Sequence, residues 1–172
     1  MKKQILTAIM AVIIAAGSTA YAAESKVGYI DMQRAISTSE AGKDARDQLA
    51  VRVKKFQGEI NVKQNELKRL KEELEKQGIL LSESAKAAKE KDYQTKLKDF
   101  QRFAKDAQEE LQAKDEELTR KILGDMEKVI RDYGKKKGYT FIFIRNESML
   151  YADEKADLTD DILKQYNSGR KK

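Results

Sequence analysis

Apolar residues recur at alternating steps of four and three positions through a long stretch of the chain, from about residue 41 to residue 137. In the first half of this stretch the recurring positions are Leu49, Val53, Phe56, Ile60, Lys63, Leu67, Leu70 and Leu74. In the second half they are Tyr93, Leu97, Phe100, Ala104, Ala107, Leu111, Lys114 and Leu118. A period of about 3.5 residues places such positions along one seam of a helix and requires a partner helix against that seam. Because only two lysines interrupt the pattern, the sequence predicts two long helices that pair as an antiparallel coiled-coil hairpin.

The ends of the two predicted helices are marked by capping residues. Ser39 can cap the first helix, which is expected to end just before Gly78. Ser82 or Ser84 can cap the returning helix. The tip between the helices is apolar and consists of Ile79, Leu80 and Leu81. These residues either close the end of the seam or offer an apolar patch to a partner.

The chain on either side of the hairpin has strand and short-helix signals. The last part of the second helix carries three apolar residues per heptad instead of two, which is typical of a helix packed on a globular body. Residues 139–144 have the composition of a strand that is buried on both sides, and residues 148–152 are predicted to pair with it as a hairpin. Residues 26–31 predict a third strand, and residues 157–163 a short C-terminal helix.

These elements predict an α+β fold that is mostly helical, with the long coiled-coil hairpin inserted in a small β-rich body. The body would consist of residues 23–40 and 119–167, the arm of residues 41–118, and residues 168–172 would be a disordered basic tail. Such a body has too few apolar residues for a good core, and small units with free strand edges tend to oligomerise. The residues expected at the subunit interface are Val27, Tyr29, Phe141, Phe143 and Ile144.

The first 22 residues have the organisation of a secretory signal peptide. Lys2 and Lys3 precede an apolar run, from Ile5 to Ala16, which is shorter than the roughly 20 residues that span a membrane. Ala20 and Ala22 are the small residues that a signal peptidase recognises, so cleavage is expected after residue 22. No Cys follows this site, which disfavours a lipoprotein. The sequence therefore predicts an exported, soluble, periplasmic protein.

The composition excludes several kinds of site. The chain contains no His and no Cys, so it lacks the usual general base, the commonest metal ligand and any thiol nucleophile. Adjacent acids such as Asp160 and Asp161 point about 100° apart on a helix and do not form a paired-carboxylate site. We therefore expect no enzyme activity, no catalytic residues, no cofactor and no bound metal.

The positive charge is concentrated on the hairpin. The formal net charge of +6 falls to +4 without residues 1–22, which contain two lysines and no acid. Residues 63–105 contain 12 bases and eight acids, the same excess of four. This surface is either an ordinary salt-bridged coiled coil or a positively charged grip for acidic chains or lipid headgroups. The basic residues 135–137 are interpreted as cations that the dipole favours at a helix C-terminus.

Phe103, like Val51 and Val62 on the other helix, lies off the seam. Side chains in such positions are either isolated apolar residues or are available to face a cavity, if several hairpins stand together. With the tip and the neighbouring cations, Phe103 completes a set of candidate partner-binding residues. This set is Ile79, Leu80, Leu81, Lys96, Lys98, Arg102, Phe103 and Lys105.

Short motifs at both ends of the mature chain carry a resemblance to a known family. They are Lys26-Val-Gly-Tyr-Ile-Asp-Met-Gln-Arg-Ala, Ser39-Glu-Ala-Gly-Lys, Tyr139-Thr-Phe-Ile-Phe and Asp157-Leu-Thr-Asp-Asp-Ile-Leu. Together with the signal peptide and the charged hairpin, their order resembles that of the Skp/OmpH-like periplasmic chaperones. The resemblance covers the whole mature chain, although the coiled coil adds little to it.

The resemblance implies a homotrimer in which a β-rich body carries three helical arms around a cavity. Such an assembly would hold unfolded outer-membrane proteins in that cavity, without ATP, until they are inserted. The resemblance also implies binding of lipopolysaccharide through the second arm, near Lys96 to Lys105. A structural coiled-coil adaptor of the cell envelope is the alternative, and the signal peptide disfavours a nucleic-acid partner.

Overall fold

The computed structural model describes residues 25–77 and 81–170 of the 172-residue chain. Its elements are strand β1 (Val27–Ile30), helix α1 (Met32–Thr38), helix α2 (Glu40–Gln77), helix α3 (Glu83–Lys137), strand β2 (Phe141–Ile144), a 3₁₀ helix (Glu154–Ala156) and helix α4 (Thr159–Arg170). The predicted α+β class, with a dominant helical hairpin, is confirmed. The predicted signal peptide, with Ala20 and Ala22, lies outside the described residues.

Helices α2 and α3 form the hairpin, and local hydrogen bonds define their ends. The Ser39 hydroxyl accepts a hydrogen bond from Gly42 N at 2.9 Å, and the Ser82 hydroxyl accepts one from Ala85 N at 3.4 Å. Gly138 ends α3 in the left-handed conformation, with φ of 72°, which a side chain would strain. At about 1.5 Å per residue, the 38 residues of α2 extend about 57 Å and the 55 residues of α3 about 82 Å.

Strands β1 and β2 pair in parallel, with Val27 opposite Phe141 and Ile30 opposite Ile144. Parallel neighbours cannot be joined by a tight turn and need a crossover connection. In this chain the crossover is α1 together with the entire helical hairpin, since no other part of the chain lies between the two strands. The arm is therefore anchored to the body at both of its ends.

The two edges of this small sheet differ. On the outer side of β1, Tyr29 forms a bridge with Asp157, and Leu158 N donates a hydrogen bond to Tyr29 O at 2.8 Å. The outer side of β2 has no such neighbour within the described residues. The sheet thus keeps one free edge, on β2.

The predicted β-hairpin between residues 139–144 and 148–152 is wrong. After β2 the chain turns at Asn146, whose side-chain oxygen accepts a hydrogen bond from Ser148 N and whose carbonyl accepts one from Met149 N, each at 3.0 Å. The segment then crosses back to place Asp157 on the far edge of β1. Because residues 148–152 form no strand, β2 is not covered on both sides, and the described part of the body has two strands instead of the predicted three.

The core of the body lies where β1, α1, the first turns of α2, the base of α3 and α4 meet. Ile30, Met126 and Ile162 are completely buried there. The other buried members of this cluster are Ala35, Ala41, Ile122, Tyr133, Leu158 and Tyr166. The wider apolar stripe at the base of α3 thus packs on the body, as its three residues per heptad predicted.

Helix α4 is longer than predicted and reaches Arg170, so the prediction of a disordered tail is wrong for residues 168–170. The Arg170 guanidinium forms an ion pair with Asp44 at 2.9 Å. The Asn167 side-chain oxygen accepts a hydrogen bond from Glu40 N at 3.1 Å. Both contacts join the end of α4 to the first turns of α2, and they hold its last residues in the helix.

A polar network connects the end of β1 to the start of α4. Asp31 N donates to the Thr159 hydroxyl at 2.9 Å, and Thr159 N donates to Asp157 Oδ1 at 2.8 Å. Arg34 forms ion pairs with Asp157 at 3.0 Å and with Asp160 at 3.5 Å. The motif that begins at Asp157 is therefore a structural joint between the N-terminal and C-terminal parts of the body.

The packing of the body yields a prediction for stability. Met126→Ala should lower the free energy of unfolding by about 2–5 kcal/mol, because truncation of a completely buried side chain leaves a cavity. Urea denaturation followed by circular dichroism measures this change. Leu123→Ala is the control, since Leu123 lies on the same helix with 39% exposure, and its cost should stay below about 1 kcal/mol. Equal losses in both variants would contradict this description of the core.

Candidate functional site

The seam between α2 and α3 is filled by the two helices themselves. Every predicted seam position is at least partly buried except Val53, which is 49% exposed. Lys114, which interrupts the apolar pattern, donates hydrogen bonds to both carboxylate oxygens of Glu117 at 2.8 Å. A partner of the arm would therefore bind on its outer faces, outside the seam.

Phe103 lies off the predicted seam, but its side chain contacts the other helix of the hairpin. Its half-buried ring packs edge-on against Phe56 of α2, with the ring centroids 6.0 Å apart. The Lys63 ammonium lies 5.1 Å from the centroid of the Phe103 ring, within the range of a cation–π contact. This contact explains a lysine at a seam position. Heptad counting missed it because a large ring beside the seam can still reach the partner helix.

Val51 and Val62, in contrast, are 71% and 67% exposed. Eleven residues, or about three helical turns, separate them, so they lie on the same face of α2, away from the seam. Gly58 belongs to this face too, and no atom of the chain outside its own helix backbone lies within 4 Å of its Cβ position. We call Val51, Gly58 and Val62 the open face of the arm.

Most cations on the distal half of the arm are paired. Lys96 Nζ lies 2.9 Å from Glu66, and Lys89 Nζ lies 2.8 Å from Glu73, in both cases across the two helices. The cations of residues 63–105 that form ion pairs are Arg69, Lys71, Lys76, Lys89, Lys96, Arg102 and Lys105. The exposed cations there without an ion pair to any described residue are Lys68, Lys91 and Lys98. The salt-bridged interpretation therefore accounts for most of this charge.

The pairs between the two helices shift the pKa values of their members. The hydrogen bond from Lys96 lowers the pKa of the Glu66 carboxyl, and the same bond raises the pKa of the Lys96 ammonium. The hydrogen bond from Lys89 likewise lowers the pKa of the Glu73 carboxyl. Both shifts favour the charged forms and keep these pairs formed at neutral pH. Because the groups remain partly accessible to solvent, these pairs stabilise the pairing of the helices only modestly.

The apolar tip is described only in part. Leu81, which precedes α3, is half-buried. Ile79 and Leu80 lie outside the described residues. The two alternatives for the tip, closing the seam or contacting a partner, thus both stay predictions. The candidate binding surfaces considered below lie on the faces of the arm and on the body.

Exposed apolar side chains gather around the small sheet. Phe141, Phe143 and Ile144 are each more than half exposed, and the two phenylalanine rings stack with centroids 5.9 Å apart. Val27, on the neighbouring strand, is also exposed. Tyr29 differs, because it is only 7% exposed inside its own chain. The exposed patch coincides with the free edge of β2.

Sequence reasoning missed two residues in the segment that follows β2. Leu150 and Tyr151 are 96% and 86% exposed, higher values than those of the other large apolar side chains that are exposed in the described chain. With Arg145 and Met149 they line a shallow cleft of about 190 Å³ beside the sheet. The sequence signal was present, since residues 148–152 have strand composition without a charge, but it was assigned to a hairpin within the chain.

Within residues 25–77 and 81–170, no group of three or more acidic, His or Cys side chains is arranged to hold a metal ion. In the same part of the chain, no helix combines the length and the apolarity needed to cross a membrane. Two exposed apolar surfaces of the described chain are the open face of the long arm and the patch at the free strand edge.

The sequence and the fold are similar to those of known proteins. The model of the family "Outer membrane protein (OmpH-like)" matches residues 26–166. An uncharacterized protein of Aquifex aeolicus (strain VF5) is 32% identical over 136 residues, which cover 79% of this chain and 82% of that protein. A crystal structure of a candidate OmpH-like outer membrane chaperone from Caulobacter crescentus CB15 shares the fold, with a TM-score of 0.78. That likeness covers 84% of this chain and 85% of the other at 17% identity. The chain therefore belongs to the OmpH-like family, which confirms the resemblance found in its sequence motifs.

Proposed function

We propose that this protein is a chaperone of the periplasm that holds unfolded outer-membrane proteins, without ATP, before they are inserted. The observation that carries the proposal is an arm with a filled seam and an exposed outer face, projecting from a small body. Membership of the OmpH-like family and the shared fold of the Caulobacter chaperone candidate support it. The predicted signal peptide supports the periplasmic location.

The open face of the arm suits weak and repeated contacts with an unfolded chain. Val51 and Val62 present apolar surface that the arm does not use for its own packing. The exposed and unpaired cations Lys68, Lys91 and Lys98 add attraction for acidic segments. Long-range attraction of this kind raises encounter rates without a defined pocket. An arm of this design would hold many sequences loosely and would need several copies to enclose one of them.

We propose that the copies assemble as a homotrimer through the body. The free edge of β2 offers unpaired backbone groups, and Phe141, Phe143, Ile144, Leu150 and Tyr151 present exposed apolar surface beside it. An exposed apolar strand edge is a ready template for a further strand, and a second copy carries one in residues 148–152. Burial of this patch would bring the bases of the arms together, and the arms would then border a common space.

The chaperone proposal predicts protection of unfolded clients. The chain without its predicted signal peptide should suppress light scattering when unrelated outer-membrane proteins are diluted from urea. Suppression should weaken as salt is raised, because salt screens exposed charges. A structural adaptor would instead bind one folded partner, and failure to protect any of several unfolded barrel proteins would exclude the chaperone proposal.

The open face can be tested with a matched pair of variants. Val51→Ser/Val62→Ser should weaken client capture by roughly threefold to tenfold, because two exposed apolar contacts are lost. Ala50→Ser/Asn61→Ser is the control, since these exposed residues have the same spacing on the adjacent face of α2. Fluorescence titration of a labelled unfolded client measures the affinity, and unchanged helicity shows that the arm is intact. Equal affinities for both variants would assign capture to another surface.

The body predicts a separate result for assembly. Phe141→Asp/Phe143→Asp should dissociate the oligomer, because two charged groups from each copy would enter an apolar interface. Leu70→Ala, which alters a partly buried seam position, should loosen the arm and leave the oligomeric mass unchanged. Size-exclusion chromatography with light scattering measures the mass. An intact trimer of the double Asp variant would contradict the proposed interface.

A further inference from the structure

A cleft of about 580 Å³ lies on the body between the last turns of α3 and helix α4. Its lining includes Tyr133, Lys136 and Lys137 from α3 and Asp161, Lys164 and Gln165 from α4. This volume is within the range of small-molecule sites, roughly 300–1,000 Å³. The cleft is open to solvent and shares no lining residue with the open face of the arm or with the free edge of β2.

The cleft has an excess of positive charge that the chain does not neutralise. Within the described residues, the ammonium groups of Lys136, Lys137 and Lys164 form neither ion pairs nor hydrogen bonds. On the distal arm, in contrast, seven of the twelve cations are in ion pairs. A helix dipole explains cations in the last turn of α3, but it does not explain Lys164, which lies in the middle of α4.

The acid that lines the cleft is already engaged. Asp161 Oδ2 accepts a hydrogen bond from the Tyr133 hydroxyl at 2.6 Å. That bond, together with burial, raises the pKa of Tyr133 to about 12, so the hydroxyl stays protonated and remains bonded to Asp161. A carbonyl group at the C-terminus of α3 is also hydrogen-bonded, because Lys26 Nζ donates to Lys137 O at 3.2 Å. Three lysines and one aspartate leave the lining with a net charge of +2.

We propose that this cleft binds a phosphate group, with Lys136, Lys137 and Lys164 as its charge partners. A phosphate monoester carries about −1.5 to −2 charges at neutral pH and presents three acceptor oxygens. A phosphate monoester would therefore neutralise most of the net charge of the lining, whereas a single carboxylate would leave that charge positive. Lysine binds phosphate as a mobile point charge, and the Gln165 amide can add a hydrogen bond. The open mouth admits the phosphate of a soluble molecule or of a lipid headgroup.

Pyrophosphate is the soluble probe, and isothermal titration calorimetry at low ionic strength measures its binding to the chain without the predicted signal peptide. We expect saturable binding that Lys136→Gln/Lys164→Gln weakens roughly fivefold to tenfold, because two charge contacts are lost. Lys136→Arg/Lys164→Arg should retain most of the affinity. Lys68→Gln/Lys98→Gln removes the same charge from unpaired residues of the arm and should change the affinity by less than about twofold.

Vesicles distinguish the two sources of the phosphate. If a lipid headgroup is bound, the chain should cosediment with vesicles that contain phosphatidic acid, and Lys136→Gln/Lys164→Gln should abolish this. If the ligand is soluble, pyrophosphate should bind while the vesicles do not. Absence of saturable pyrophosphate binding, or equal losses in the cleft and arm variants, would overturn the proposal. Client protection should be unchanged in the cleft variant, so this test is independent of the chaperone assay.

Discussion

The parallel pairing of β1 with β2 is the constraint on which the rest of the molecule depends. Parallel strands must be joined by a crossover, and this chain uses the whole helical hairpin for it. Both ends of the arm are therefore fixed to one small body, because α2 follows β1 and α1, and α3 leads into β2. The same pairing gives the sheet its two different edges. Asp157 and Leu158 cover the outer side of β1, while the outer side of β2 stays free among the described residues.

The arm separates the residues that hold it together from those available to a partner. The regularly spaced apolar side chains pack in the seam. Many of the charged side chains form ion pairs, such as Lys96 with Glu66 across the two helices. What remains outside is a thin set of exposed groups, including Val51 and Val62. Exposed ion pairs contribute little stability, so the arm depends on its seam and on its anchored base. Such a rod can present a surface along most of its length without needing a pocket.

The sequence predicted the local elements well and the non-local pairings poorly. The 3.5-residue period and capping residues such as Ser39 and Ser82 act within a few turns, so the helices and their ends could be read from the pattern. The partner of a strand is not encoded locally, and residues 148–152 were therefore paired with β2 in error. The contact of Phe103 with Phe56 was not predicted for a similar reason, since it depends on how two helices face each other. The extension of α4 to Arg170 could not be predicted locally, because Arg170 forms its ion pair with Asp44, which is distant in the sequence.

The segment that was wrongly predicted as a strand offers a physical reason for the proposed assembly. Residues 148–152 have a local preference for strand that the single chain does not satisfy, and they leave Leu150 and Tyr151 almost fully exposed. The local preference of such a segment disagrees with its structure in the single chain. Binding to another chain can remove this disagreement by letting the segment form a strand. The free edge of β2 offers backbone partners, and burial of apolar area there would contribute about 25 cal/mol per Å². In the proposed assembly, a body of this size would extend its core with a further copy, and the arms would border a shared space because the bodies that carry them would be joined.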